Sequence, residues 1–168
     1  MSDTDLQSFV TRACELGAEE AKVIDPASII TAAWVRLKCQ FGCGGYGSSL
    51  CCPPHSPTPE QTRRVLDCYQ RAILVHCKPG VHVKALVVAL EREVFLGGYY
   101  KALGLGAGGC DLCEECGLAH CLHACEARPS MEASGIDVFA TARANGFPLE
   151  VVTDHECDQN YYGVVLVD

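Results

Sequence analysis

The sequence predicts an α/β fold: a small mixed sheet packed with helices, carrying two cysteine-rich loops. Two observations lead there. Short runs of β-branched and aliphatic residues alternate with segments whose apolar positions recur at helical spacing. Two stretches dense in Gly, Pro and Cys interrupt that alternation. A length of 168 residues suits one domain over 1–168, with cysteine loop one at 39–55 and cysteine loop two at 104–131.

Leu6, Phe9, Val10, Ala13 and Leu16 mark one face of a first helix, with Asp3 or Thr4 as its cap and Gly17 as its stop. IITAAWVRLKC, Ile29 to Cys39, is rich in β-branched and aromatic residues and reads as a buried strand that delivers the chain into loop one. Thr58-Pro59-Glu60-Gln61 has the form of a capping box with Pro at the first helical position. The helix it opens runs to about Gln70, with Val65, Leu66 and Tyr69 inward. AILVHC, Ala72 to Cys77, is a short apolar strand, and Lys78-Pro79-Gly80 turns the chain. Val83, Leu86, Val87, Leu90 and Val94 mark a long helix reaching toward Leu103, weakened by Gly97-Gly98. After loop two, Ser134 and Asp137 begin another helix that Asn145-Gly146 ends. Strands at Leu149–Thr153 and Tyr162–Val167 close the chain.

The formal net charge is −8, and Lys and Arg form no run, which argues against nucleic acid or an anionic membrane as partner. No window has the ~18 continuous apolar residues of a membrane span, and the acidic start MSDTDLQSF is unlike a secretory signal. A cytoplasmic setting is expected. The thirteen cysteines, an odd number in that setting, fit metal ligation better than a disulfide framework.

In loop two, CDLCEECGLAHCLHAC, the positions Cys110, Cys113 and Cys116 are spaced to wrap three corners of a cuboidal cluster, and Cys121 follows. The bacterial ferredoxin run is C-x2-C-x2-C-x3-C-P. Here the last gap is four residues and Leu122 replaces the proline. The reading is one [4Fe–4S] cluster on Cys110, Cys113, Cys116 and Cys121. The alternative is tetrahedral zinc on Cys113, Cys116, Cys121 and Cys125. His120 and His123 are neighbours rather than ligands. Gly104 to Gly109 spells G-x-G-x-x-G, but it follows a helix and precedes cysteines, so these glycines are expected to bring backbone N–H groups toward bridging sulfides.

In loop one, Cys39, Cys43 and one of the adjacent pair Cys51-Cys52, with Cys52 preferred, are three local ligands. A radical S-adenosylmethionine motif fails because Tyr46 occupies its third cysteine position. Gly42, Gly44 and Gly47 also spell G-x-G-x-x-G, yet no helix opens at SSLCCPPH to hold a nucleotide. The fourth ligand is Cys51, His55, a remote cysteine such as Cys157 or Cys77, or none from the protein; the last leaves an iron open to substrate. Thiols packed in a glycine-rich loop without metal are the plain alternative. Cys14, Cys68 and Cys77 are expected in the core.

KCQFGCGGYGSSLCCPPHSPTPE, LEREVFLGGYYKALGLGAGGCDLCEEC and ARPSMEASGIDVFATARANGFPLEV, spread from about Leu37 to Val152, are similar to the uncharacterised prokaryotic predicted metal-binding proteins (domain of unknown function 2284). The resemblance implies iron–sulfur or other metal binding in an anaerobic or redox-linked setting, with no reaction attached. Carried over residue by residue, it points to Cys39, Cys43, Cys52, Cys110, Cys113, Cys116 and Cys121. Cys51 and Cys125 are additions, and His55 stands where a tyrosine is expected. Arg128 and Glu132 are expected to pair and fix loop two to the domain, or Arg128 to meet an anionic cluster or substrate. Tyr99, Tyr100 and Lys101 are candidates for a pocket beside loop two, or for the core.

Three functions follow. One is an electron-transfer protein with one or two [4Fe–4S] clusters and a redox partner protein. The second is an enzyme that uses an open-site cluster on a small substrate, by dehydration or sulfur transfer. The third is a zinc-braced binding module. Two clusters within about 14 Å, roughly a four-residue extended segment, favour the first; a three-cysteine site opening into a pocket favours the second.

Overall fold

In the computed structural model, which describes residues 3–168, the chain runs α1 (Asp3–Glu15), β1 (Glu20–Ile24), α2 (Ala33–Gly42), α3 (Pro59–Leu66), β2 (Ala72–Cys77), α4 (Val83–Leu96), β3 (Leu103–Leu105), α5 (Val138–Ala144) and β4 (Tyr161–Leu166). The α/β class stands. The four strands pair in the order β1-β2-β4-β3, and every pairing is antiparallel. Glu20 lies opposite His76, and Ala72 opposite Leu166.

The central strand β2 is buried along its whole length, which is why it reads as a continuous apolar run. Its alternate residues serve two cores. Ile73, Val75 and Cys77 meet Leu6, Val10 and Ala13 of α1 and Leu86, Val87, Leu90 and Val94 of α4. Ala72 and Leu74 face Leu66, Met131, Ile136, Ala142 and Phe147 on the opposite side. Burying each large aliphatic side chain contributes about 1.5–3 kcal/mol before entropy is counted. Close packing of α4 explains two glycines: an added Cβ would lie 2.3 Å from Val87 Cγ1 at Gly104 and 2.5 Å from Lys84 Cγ at Gly106. Helix packing, not approach to sulfides, is the physical reason for these two.

The local signals hold where they are strongest. Thr58 caps α3 through the expected capping box with Gln61, and Asp137 caps α5. Two helices stop short of their expected ends: α3 at Leu66 rather than Gln70, and α4 at Leu96, where the glycine pair breaks it before Leu103, which lies in β3. The Asp3 and Thr4 caps fall on side chains outside the described residues. Two expected strands are corrected as well. The Ile29–Cys39 stretch is not a strand: its β-branched run ends at Thr31, which makes a single bridge to Ile136, and the remainder, in which Val35 is the one β-branched residue among Ala, Leu and Lys, forms α2 from Ala33. Leu149–Thr153 is not a strand either. Leu149 is buried in the core, while Val151 and Val152 are exposed along the wall of a cavity. Strands β1 and β3, too short and mixed to announce themselves, complete the sheet.

Candidate metal centres

Helix α2 places Cys39 one turn before Cys43, on the same face, and Cys43 caps the helix. The chain then turns back so that Cys52, 8 % exposed, reaches the same cavity wall as both. A Cβ added at Gly45 would lie 3.6 Å from Cys43 Sγ and 3.9 Å from Cys52 Sγ, so both sulfurs lie at ordinary contact distance from one point beside this glycine. Burial, then Cys43 and Glu132, push the Cys39 thiol up, and Arg36 opposes them. The cavity measures about 880 Å³ and is walled by Trp34, Ile136, Phe139, Leu149, Val151 and Tyr162. No helix follows Gly47 before α3, so the loop-one glycines make no nucleotide cradle.

Loop two hangs from α4 by its ends. Glu91 of α4 accepts from Gly104 N at 2.7 Å where the loop begins, and from Arg128 Nε at 2.7 Å and Nη2 at 2.6 Å where it ends. Arg128 therefore pairs with Glu91, not with Glu132, and spends Nη1 on the carbonyls of Ala124 and Ala127. His82 at the α4 cap meets Asp111 Oδ2 at 2.8 Å and steadies the residue beside Cys110.

Cys110, Cys113, Cys116 and Cys121 line one cavity of about 250 Å³. Burial, then the neighbouring thiols Cys116, Cys110 and Cys121, push the Cys113 thiol up. A fifth thiol joins them. Cys51, 7 % exposed, lies against Cys110 and lines the same cavity. Burial, then Cys110, push its thiol up to about 12, with Lys84 acting the other way. The adjacent cysteines thus divide, Cys52 to the first group and Cys51 to the second. The sequence offered Cys51 as a fourth ligand of the first group, and the family resemblance made it an addition; the structure places it with the second group instead. The signal available was the doubled cysteine itself, since successive residues in an irregular segment face apart.

The remaining candidates lie elsewhere. His55 is exposed and off the first cavity, Cys77 is buried in the sheet core, and Cys157 is occupied with Thr153 and Asp154. Cys125 is exposed and outside the second cavity, which His120 lines. Cys14 and Cys68, expected in the core, are exposed. Tyr99, Tyr100 and Lys101 line a separate cavity of about 530 Å³ with Arg71 and Asp168, away from both cysteine groups.

The donor sets suit a soft metal or a cluster: all thirteen cysteines are free, three gather on one cavity and five on another. Among the described residues no three ligating side chains converge tightly enough to hold a single ion. No described helix is long and apolar enough to cross a membrane. No curated protein and no solved structure matches the chain. A family model described as a predicted metal-binding protein (DUF2284) matches residues 22–167. Over nearly its whole length, both cysteine groups included, the chain belongs to this family of predicted metal-binding proteins.

Proposed function

We propose that the chain holds two iron–sulfur centres and passes electrons between them and a redox partner protein. The first rests on Cys39, Cys43 and Cys52; the second draws on Cys110, Cys113, Cys116 and Cys121, with Cys51 as a fifth thiol for four places. The observation that carries this reading is the division of Cys51 and Cys52 between the two groups. Their Cα atoms are one peptide apart, about 3.8 Å, so centres on either side lie close to each other. A [4Fe–4S] cluster supplies one-electron chemistry when bound, at a potential set by charge, hydrogen bonds and exposure.

The chain's own residues provide the rest. Arg128 and Glu91 fix the ends of loop two, Lys84 brings positive charge near the second thiol group, and α2 holds the first pair of sulfurs at helical spacing. The formal charge of −8 suits a basic protein surface as partner rather than nucleic acid or an anionic membrane.

The cavity of about 880 Å³ at the first group favours a second reading, in which that centre acts on a small substrate. Iron, zinc and acid-labile sulfide per chain, measured on anaerobically purified protein with EPR after dithionite reduction, test both. About eight irons with matching sulfide support two centres. Zinc without sulfide sinks both redox readings and leaves a braced binding module.

A further inference from the structure

The first cavity contains an acid that three thiols leave unexplained. Glu132 begins the short 3-10 turn Glu132–Ser134. The residue as a whole is half-buried, but its Oε2 is sealed from solvent and has no hydrogen-bond partner. It shares the cavity with Cys39, Cys43 and Cys52. The nearby cation does not meet it: Arg36 Nη1 donates to Ser56 Oγ at 3.0 Å, Pro57 O at 3.1 Å and Ala133 O at 3.0 Å. An acid oxygen sealed without a partner is costly, and either a proton on the acid or a bound cation would remove that cost.

Two other acids line the cavity, but Asp137 accepts from Ala140 N as the cap of α5 and Glu150 accepts from Arg143 Nη2. The fourth ligands that the sequence offers are placed elsewhere. Cys51 faces the second group, His55 is exposed, Cys77 is in the core and Cys157 lies outside the cavity lining. We propose that Glu132 Oε2 is the fourth protein ligand of the first metal centre, completing a donor set of three sulfurs and one oxygen. This inference rests on the cluster reading of that centre. A carboxylate oxygen is a harder ligand than thiolate and holds iron less firmly. The Glu132 corner is therefore the exchangeable one. A centre so held would keep its iron while the carboxylate is bound and would open that corner when it leaves.

The test compares wild type with Glu132→Cys and Glu132→Gln after anaerobic cluster loading. Each protein is oxidised with ferricyanide, and the three-iron EPR signal and chelator-released iron are measured. Wild type is expected to lose one iron per chain and show the three-iron signal. Glu132→Cys is expected to suppress that signal at least tenfold. If the cysteine variant does not fold, Glu132→Gln decides: its uncharged amide should release the same iron at least tenfold faster. Equal signal and release rate in all folded variants would overturn the assignment of Glu132. The cluster reading fails separately, and visibly, if loaded wild type contains no sulfide or if Cys52→Ser leaves the iron content unchanged.

Discussion

Cys51 and Cys52 are joined by one peptide bond and face different cavities, Cys51 against Cys110 and Cys52 beside Cys43. Their substitutions should therefore separate. In Cys52→Ser, iron is expected to fall from about eight to about four per chain, with the second centre's EPR signal intact. In Cys51→Ser, the first centre should stay loaded while the signal of the second shifts or weakens. Identical losses in the two variants would contradict the division.

Arg128 and Glu91 form a two-bond ion pair, with side chains 16 % and 14 % exposed, across the end of loop two. Removing the cation leaves a largely buried carboxylate with only Gly104 N as partner. Arg128→Ala should lower stability by about 2–3 kcal/mol, read from the urea midpoint. Arg128→Lys should recover little of it, because one ammonium cannot reproduce the fork. A midpoint unchanged in Arg128→Ala would show that loop two is held by other contacts.

Gly135 connects the Glu132–Ser134 turn to α5 at φ 75°, pressed against Pro59 at the start of α3. An added Cβ would lie 2.4 Å from Pro59 Cγ and 2.9 Å from its Cα. Gly135→Ala combines that collision with a left-handed backbone, so a loss of about 1–3 kcal/mol is expected, measured by thermal unfolding. Because the turn carries Glu132, metal release from the first centre should also accelerate.

Cys77 is fully buried, and its thiol is pushed up to about 11 by burial and then by Cys14. Iodoacetamide at pH 8 should modify exposed Cys14 and Cys68 and leave Cys77 untouched, as peptide mapping would show. The folded value lies above that of an unfolded thiol, about 8.5. The neutral thiol's contribution is therefore complete below that pH and is lost as pH rises toward about 11. Over that window wild type should lose more stability than Cys77→Ala; equal losses would assign the decline to other groups.

Much of this protein was determined by short-range signals in the sequence. The capping box at Thr58, the apolar period of α4, the AILVHC strand and the spacing within loop two each lie in one local stretch, and each appears in the structure where the residues place it. The tertiary structure decided what depends on distant partners. Strands β1 and β3 exist because β2 and β4 offer them edges. Ile29–Cys39 becomes extended and then helical because Thr31 finds a single bridge partner and only Val35 of the helix is buried. Arg128 turns to Glu91 because α4 packs against β3 and brings that acid to the loop end. Cys51 joins a group whose other members lie beyond two helices and two strands of intervening chain. The residue types capable of holding metal are written in the sequence; which of them share a cavity is set by sheet pairing and helix packing, which no local spacing encodes.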